Sequence, residues 1–324
     1  MPDRAFRDVS QVIANVCHSG HETSRLKAEV ITRISRVLPV EAVYWATTDP
    51  ATVLPTEALR EGLGDDTFQP FLENEYLSDD VNNFIDLART NTDVRTLWQA
   101  TDGDPSSSPR YREILEPLGM GDELRAILRC DDATWGGLCV HARAGHVFSD
   151  EEIAFVRRLL PHLSEGIRTG VLMANVNVAP PSQAPGLVLL SDAGTLVGST
   201  PAGEEWLADL EPTHGDLPYT VHAVVGRLQE LERSGDAGVP RARVRTTSGR
   251  WGVVHASRVS TPGATFAVII EEATPAEIAS LIAEALGLTP REREITQEVV
   301  QGRSSREIAG SLGDKVKIVK LNVD

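Results

Sequence analysis

The sequence predicts an α+β protein that ends in an all-α segment. Within residues 1–174, amphipathic helical patterns alternate with short β-rich runs, and a hairpin precedes a closing helix. Residues 175–186 are rich in Pro, Asn and Ser, which predicts a linker, and further short strands follow at 187–273. The last part, 288–324, holds two capped helix starts separated by a glycine.

Length and charge narrow the possible functions. At 324 residues the chain has room for two or three domains, and 41% apolar with 24% charged residues is typical of a globular protein with a substantial core. Residues 1–287 have a net charge of −17, whereas residues 288–324 have a net charge of +1. DNA affinity rests on neutralising phosphates with cations, so only the C-terminal segment is a candidate for DNA contact.

The cellular location is predicted from the absence of membrane-span, signal-peptide and disulfide patterns in the sequence. No apolar run approaches the roughly 18 residues that suggest a membrane span, and the start shows no signal-peptide pattern. The cysteines Cys17, Cys130 and Cys139 are too few for a disulfide scaffold. We therefore expect a cytoplasmic protein with free thiols and no membrane contact.

The elements of the first region can be placed in order. We expect helices at Asp8–Cys17, from Thr23 to Leu38, through most of Asp66–Arg89 and from Ser149 onward, and strands at Glu41–Thr47, Leu124–Leu128 and Gly137–His141. Ser149 and Glu152 have the spacing of a capping box. The last two strands flank an Asp-Asp turn and are expected to pair.

The end of this region is similar to the end of a GAF domain. The residues are Gly137-Leu138-Cys139-Val140, followed by Phe148-Ser149-Asp150-Glu151-Glu152 and a helix. The resemblance implies a GAF-like domain at 1–174 that binds a small ligand or mediates dimerisation. Aromatic residues that could line its pocket are Tyr44, Trp45, Phe84, Trp98 and Trp135. Core packing is the alternative for each of these rings.

The second region resembles a PAS domain. It reads as strand, Ser191-Asp192-Ala193-Gly194 turn, strand, and a helix that begins at Thr200-Pro201-Ala202, with later strands near 241–247, 250–259 and 265–270. The resemblance implies a PAS-like domain at 187–273. Residues 274–287, which start with Thr-Pro-Ala-Glu, predict a connecting helix.

The C-terminal segment has two helix starts fifteen residues apart. Thr289 suits an N-cap, Pro290 suits the first helical position, and Glu292 has the capping-box spacing. Ser304 and Glu307 repeat the arrangement. Gly302 suits the position just past a helix end. This pattern predicts two short helices joined by a tight turn.

This segment resembles the LuxR-type DNA-binding domain, a helix-turn-helix module. Shared residues are Leu288-Thr289-Pro290-Arg291-Glu292, Gln301-Gly302, Ser304, Glu307-Ile308-Ala309 and Leu312. The resemblance implies a homodimer that binds double-stranded DNA through Arg303, Ser304, Lys315, Lys317, Val319 and Lys320. The expected helix-turn-helix core is Leu288, Ile295, Val299, Ile308 and Leu312. The sequence stops at Asp324, inside the expected recognition helix, so we expect the domain at 288–324 to be incomplete.

No residue set predicts catalysis, a cofactor or a metal site. Cys17-His18 and His21-Glu22 lack the second ligand pair that a zinc site needs. His141 and His146 have no accompanying nucleophile. We expect a transcription regulator in which sensor-like domains control a DNA-binding segment. The alternative is a ligand-binding or dimerisation module whose truncated C-terminal domain no longer binds DNA.

Overall fold

The computed structural model describes residues 2–173, 184–210, 217–300, 303 and 307–308. They belong to two compact units, Met1–Glu272 and Ala273–Asp324. The larger unit contains two β-sheets with their helices, and the described part of the smaller unit is helical. The predicted linker at 175–186 lies outside the described residues except for its last three positions.

Helices of the larger unit precede, separate and follow its strands. They are α1 (Pro2–Cys17), α2 (Thr23–Ile34), α3 (Phe68–Leu77), α4 (Phe84–Arg89), α5 (Leu97–Ala100), α6 (Asp150–Met173), α7 (Pro201–Asp209) and α8 (Tyr219–Ser234). Ser149 and Glu152 form the expected capping box at the start of α6, since each side chain accepts from the other residue's backbone N–H, at 2.8 and 3.4 Å. No helix in the described ranges combines the length and apolarity that crossing a bilayer requires.

The two sheets have the same topology. The first sheet contains β1 (Val40–Thr48), β2 (Pro55–Glu61), β3 (Val94–Thr96), β4 (Met120–Cys130) and β5 (Ala133–Arg143). The second contains β6 (Gly186–Leu190), β7 (Leu196–Ser199), β8 (Arg241–Arg245), β9 (Trp251–Thr261) and β10 (Ala264–Glu272). Their strand orders are β2-β1-β5-β4-β3 and β7-β6-β10-β9-β8, with antiparallel pairing. In each sheet the last strand therefore lies beside the first.

One face of the first sheet is covered by α2 and α6, and α1 packs against these two helices. The rings of Phe6 and Phe155 stack at 4.7 Å between α1 and α6, and Ile13 is fully buried. A Cβ at Gly166 of α6 would lie 3.0 Å from Leu26 of α2, so glycine allows these two helices to approach closely. Apolar burial on this face gives the first sheet its main core.

The opposite side of the first sheet faces α3 and α8, where the two halves of the larger unit meet. Leu54 and Tyr76 from the first half belong to the same apolar cluster as Val221, Val224 and Phe266 from the second half. The segments predicted as separate domains, 1–174 and 187–273, are therefore packed around a shared core within one compact unit.

A buried ion pair also joins the two halves. Asp49, just after β1, accepts hydrogen bonds from Arg243 of β8: Nη2 lies 2.6 Å from Oδ1, Nε lies 3.0 Å from Oδ2, and the backbone N lies 2.6 Å from Oδ2. The Asp49 side chain is 3% exposed and the Arg243 side chain 8%. A buried pair of this kind is held by mutual neutralisation, because either charge alone is costly in the interior.

The structure contains the strands that the sequence predicted in the first region, together with the hairpin β4–β5. The short strands β2 and β3 were not predicted, nor was the helix α8. The expectation of a mainly helical Asp66–Arg89 was confirmed by α3 and α4, although the chain leaves helical geometry between these two helices. Asn82 has a φ of 62° there, which is incompatible with a right-handed helix.

The smaller unit begins with α9 (Pro275–Ala285) and continues with α10 (Pro290–Val300). Thr274 caps α9 in a capping box with Glu277. Thr289 and Glu292 form the corresponding pair at α10: the Thr289 N–H donates to the carboxylate at 2.8 Å, and the Glu292 N–H donates to the hydroxyl at 3.3 Å. Both helix starts thus lie where the sequence placed them.

Removal of the Asp49 carboxylate should strongly destabilise the larger unit. In Asp49→Ala the Arg243 guanidinium stays buried without its partner, so we expect the free energy of unfolding to fall by about 3–5 kcal/mol. The matched control is Glu232→Ala, which removes the partner of Arg258 in an exposed pair and should cost less than about 1 kcal/mol. Urea unfolding followed by circular dichroism measures both. Equal costs for the two variants would contradict a structural role of the buried pair.

His222 should make the fold sensitive to mild acid. Burial lowers the pKa of this α8 histidine to about 4, against about 6.5 when unfolded. Stability is therefore fully present above pH 6.5 and is lost as the pH falls from 6.5 towards 4, by about 3 kcal/mol. His222→Leu should abolish that part of the pH dependence in urea unfolding, and the exposed control His18→Leu should retain it. A pH profile unchanged by His222→Leu would refute this assignment.

Candidate ligand-binding site

A cavity of about 50 Å³ lies between the first sheet, α3 and α8. Its wall combines aromatic rings with charged and hydrogen-bonding groups. The rings are Tyr44, Phe68, Phe71, Tyr76, Phe84 and Tyr219. The polar side chains are Thr48, Arg60, Glu75, Glu123, Arg125, Cys139 and His141.

Strand alternation explains which residues face this cavity. In β1 it is lined by Tyr44, Ala46 and Thr48, and β4 contributes Glu123, Arg125 and Ile127. Successive side chains in a strand point to opposite faces, so the residues between them face the covering helices instead. The sheet therefore has an apolar face under α2 and α6, and a face towards the cavity that carries charge.

Glu123 is the centre of the charged face. Its Oε2 accepts from Arg110 Nε at 3.0 Å and from Arg125 Nε at 3.1 Å, and its side chain is fully buried. Burial alone would raise the pKa of Glu123, but the two guanidinium charges outweigh this effect and lower it to about 2. Glu123 is therefore a permanent anion held by two permanent cations.

The remaining donors of the two arginines are also used. Arg110 Nη1 donates to Asn74 Oδ1 at 2.8 Å, and its backbone N–H donates to Asp80 Oδ2 at 2.8 Å. Arg125 Nη1 donates to Glu75 Oε2 at 2.6 Å, and its guanidinium lies 4.7 Å from the centre of the Phe84 ring. The network connects β4 to α3 and to the segment around Arg110, and it fixes the geometry of the charged wall.

Cys139 and His141 of β5 lie beside the other oxygen of Glu123. Cys139 Sγ is 3.3 Å from Glu123 Oε1, and His141 Nε2 is 3.4 Å from Cys139 Sγ. Burial, together with Glu123, raises the pKa of the Cys139 thiol, and burial lowers the pKa of His141 to about 4. Both groups are therefore neutral at pH 7. His141 Nδ1 is buried without a hydrogen-bond partner among the described residues.

Tyr219 closes the cavity from the side of α8. Its ring centre lies 5.7 Å from that of Tyr44, and the two hydroxyls are hydrogen-bonded. Burial raises the pKa of Tyr219 to about 12, although its bond with Tyr44 acts in the opposite direction. Tyr219 stays uncharged, so this contact between the two halves is a neutral hydrogen bond supported by ring packing.

Arg60 of β2 is a half-buried cation in the wall. Its Nη2 donates to Thr67 Oγ1 at 2.8 Å, and its guanidinium lies 5.3 Å from the centre of the Phe68 ring. Its Nη1 is buried and has no hydrogen-bond partner in the described part of the chain. Burial lowers the pKa of Arg60, which reflects the cost of holding this charge near apolar rings.

The structure places only part of the predicted pocket residues in the wall. Tyr44 and Phe84 line the cavity, with ring centres 6.0 Å apart. Trp45 does not line it, because it follows Tyr44 in the strand and points to the opposite, fully buried face. Trp135 is fully buried at the register shift of the β4–β5 hairpin, and Trp98 is 42% exposed on α5. These two also lie outside the lining.

Sequence reasoning missed the charged lining and Tyr219. Glu123 and Arg125 are two residues apart in a strand that is otherwise apolar, which is the signal for a polar sheet face. Tyr219 was missed because α8 was missed. The signals for this helix were apolar residues at Val221, Val225 and Leu228 and the terminal Gly235, which adopts a φ of 71°.

The predicted DNA-binding residues lie mostly outside the described part of the chain. Ser304, Lys315, Lys317, Val319, Lys320 and the core residue Leu312 are among those outside. Arg303 is described, and its Nη1 lies 2.6 Å from Glu298 Oε2. Of the expected core, Ile308 is 1% exposed, Leu288 and Ile295 are half-buried, and Val299 at the end of α10 is 54% exposed. Val299 therefore takes no part in a described core.

No protein-family model and no curated protein match this chain. Among solved structures, it is similar to the GAF domain of a phosphoenolpyruvate-protein phosphotransferase from Coxiella burnetii, with 18% identity over 51% of this chain and 93% of that domain and a TM-score of 0.37. The LBD domain of VqsR from Pseudomonas aeruginosa matches with 13% identity, 52% and 98% coverage and a TM-score of 0.33. Bacteriophytochrome RpBphP3 from R. palustris matches with 13% identity, 92% and 76% coverage and a TM-score of 0.40. GAF domains are thus among the solved structures to which this mixed α+β chain is similar.

Proposed function

We propose that the chain is a ligand-responsive DNA-binding regulator. The larger unit takes a small molecule in the cavity between the first sheet, α3 and α8, and the C-terminal segment binds duplex DNA. The ligand part rests on the cavity, whose wall offers rings for packing and buried hydrogen-bonding atoms that lack partners. The function involves no catalytic step.

The wall favours a small aromatic anion as the ligand. Arg60 Nη1 and His141 Nδ1 are the unpartnered atoms in the described lining, and an unmade hydrogen bond costs roughly 1–3 kcal/mol at each buried site. A carboxylate is the natural partner of a guanidinium. The six aromatic rings of the wall supply an apolar surface for the body of the ligand.

The described conformation is the closed form of this site. Its cavity of about 50 Å³ holds a few water molecules, whereas small-molecule pockets usually have volumes of about 300–1,000 Å³. Ligand entry therefore displaces side chains. Arg60 is suited to this movement because it is half-exposed and lies on an outer strand of the sheet.

Occupancy of the cavity would act on α8. Tyr219 lines the cavity, and the following turns of α8 belong to the cluster shared with the second sheet. A ligand that parts Tyr44 from Tyr219 would stabilise a different packing of α8 and so shift the population between two arrangements. The chain passes from β10 of that sheet to the capped helix α9 within three residues, which makes the C-terminal segment the next element along the chain.

The DNA part of the proposal rests on the C-terminal sequence pattern. The capping boxes at Thr274 and Thr289 start α9 and α10, and these two helix starts support the proposal. The segment 288–324 carries Lys315, Lys317 and Lys320, whereas the rest of the chain is strongly acidic. Dimers of helix-turn-helix modules bind paired half-sites, and a homodimer is part of this proposal.

Benzoate should bind to the full chain and its neutral isostere benzamide should bind more weakly. In Arg60→Met we expect benzoate affinity to fall about tenfold, which corresponds to about 1.4 kcal/mol, because the guanidinium that would pair with the carboxylate is lost. Arg258→Met, which removes a cation that is not part of the lining, is the matched control. Saturation-transfer NMR titrations measure the affinities. Equal affinities for the two probes, or equal loss in the two variants, would reject an anion site at Arg60.

DNA binding should be specific and sensitive to salt. A duplex selected by the full chain from a random library should bind with an affinity that falls as salt rises, and Lys317→Ala with Lys320→Ala should reduce the slope of log affinity against log salt by about 2. Arg258→Ala is the control and should leave the slope unchanged. Failure to select any sequence, or binding that ignores salt, would leave the alternative: a ligand-binding module without DNA function.

A further inference from the structure

Three side chains in the cavity wall carry an oxygen, a sulfur and a nitrogen donor. Glu123 of β4 is paired directly with His141 of β5, and Cys139 lies two residues before His141 on the same face. All three are buried, and one potential ligand atom from each lies within 4.8 Å of the others. We propose that Glu123, Cys139 and His141 form a transition-metal site, for Zn²⁺ or a similar divalent ion.

The distances fit a tetrahedral ion without movement of the backbone. Bond lengths of about 2.3 Å to sulfur and about 2.0–2.1 Å to nitrogen or oxygen place two ligands of one tetrahedral ion roughly 3.5 Å apart. Cys139 Sγ lies 3.3 Å from Glu123 Oε1 and 3.4 Å from His141 Nε2, and His141 Nδ1 lies 3.9 Å from Glu123 Oε1, so a small rotation of the imidazole would complete the set. Strand pairing brings the three residues together, because Glu123 lies opposite His141 and Cys139 lies two residues before His141 on the same strand.

The donor atoms are available to an ion. His141 Nδ1 has no hydrogen-bond partner within the described ranges, and Nε2 contacts only the weakly bonding thiol. Glu123 Oε1 faces Cys139, while both arginine contacts are made by Oε2. The arginines therefore orient the carboxylate from behind and leave its other oxygen for coordination, as groups around a metal ligand commonly do.

The charge of the ion-paired network around Glu123 also fits a divalent ion. The carboxylates of Glu75, Asp80 and Glu123 outnumber the guanidiniums of Arg110 and Arg125 by one. When M²⁺ binds, the Cys139 S–H bond breaks, a sulfur–metal bond forms and the proton leaves to solvent. The cluster then becomes neutral, which favours its burial.

The donor set selects the class of metal. Thiolate and imidazole prefer Zn²⁺, Co²⁺ or Fe²⁺, whereas Mg²⁺ and Ca²⁺ prefer oxygen ligands. Three protein ligands would leave the fourth position open, and all three residues line the cavity. A water molecule or an anionic ligand would complete the coordination there. The sequence did not predict this site, because its three ligands come from two strands and form no short motif. The Cys17-His18 pair, which resembles a metal motif more closely, lies elsewhere in the fold.

Cobalt titration of the full chain tests the site. After treatment with a chelator, the wild type should bind one Co²⁺ per chain, with a thiolate-to-cobalt charge-transfer band in the near ultraviolet and the intense visible bands of four-coordinate cobalt. Zn²⁺ should displace it. Cys139→Ser should lose the charge-transfer band, and His141→Gln should weaken binding by at least about tenfold. Cys17→Ser and Cys130→Ser are matched controls that should keep the full spectrum.

Several outcomes would overturn the proposal. The folded wild type could give no charge-transfer band with Co²⁺. Alternatively, the band could persist in Cys139→Ser or disappear in Cys130→Ser. If Cys139→Ser fails to fold, as judged by circular dichroism, the wild-type spectrum and the His141→Gln titration still decide the matter. Benzoate and DNA play no part in the measurement, so failure of the proposed function and failure of the metal site are distinguishable.

Discussion

The organisation of the larger unit depends on the neutralisation of one buried carboxylate. Glu123 is inaccessible to solvent and is held by Arg110 and Arg125. Loss of either partner would leave an unbalanced charge in the interior, which is among the most costly defects a fold can contain. Through these ion pairs the helical segment between β2 and β4 is held against one face of the sheet. The opposite face is held against its helices by apolar packing. Ion pairs hold their groups at fixed distances and cannot repack as apolar side chains do. The ligand-site cavity lies beside the ion pairs of Glu123.

The same logic applies where the two halves meet. Two sheets of identical strand order could have formed separate domains, yet Leu54 and Tyr76 lie in the core of the second half, and Asp49 pairs with Arg243 of β8. Tyr219 adds a third connection at the edge of the cavity. The cavity therefore lies next to the contacts that join the two halves of the larger unit. This proximity allows a ligand to have different affinities for two arrangements, which any ligand-controlled switch requires.

The sequence was informative where local chemistry decides the structure. Capping boxes at Ser149 and Thr289 predicted helix starts correctly, and β-rich runs predicted the central strands. The helix α8 was missed because its residues at 220–225 include a β-branched run, which weakened the helical signal although tertiary packing favours a helix there. The lining was missed for a different reason. Glu123, Cys139 and His141 converge only through strand register, which a single sequence does not specify without knowledge of the pairing.

The aromatic predictions illustrate the same limit. Tyr44 and Trp45 are adjacent aromatic residues, but successive side chains along β1 point to opposite faces. Tyr44 therefore lines the cavity, and Trp45 lies in the core under the helices. The presence of aromatic residues in the sequence therefore predicts burial, but it does not tell whether a residue lines a pocket or packs in a core. Unsatisfied polar atoms do not separate the two either, because the Nε1 atoms of the core residues Trp45 and Trp135 are also buried without a hydrogen-bond partner among the described residues. The cavity wall differs from that core in carrying the charges of Arg60, Glu123 and Arg125 beside its rings, and strand alternation brings Glu123 and Arg125 to the same face.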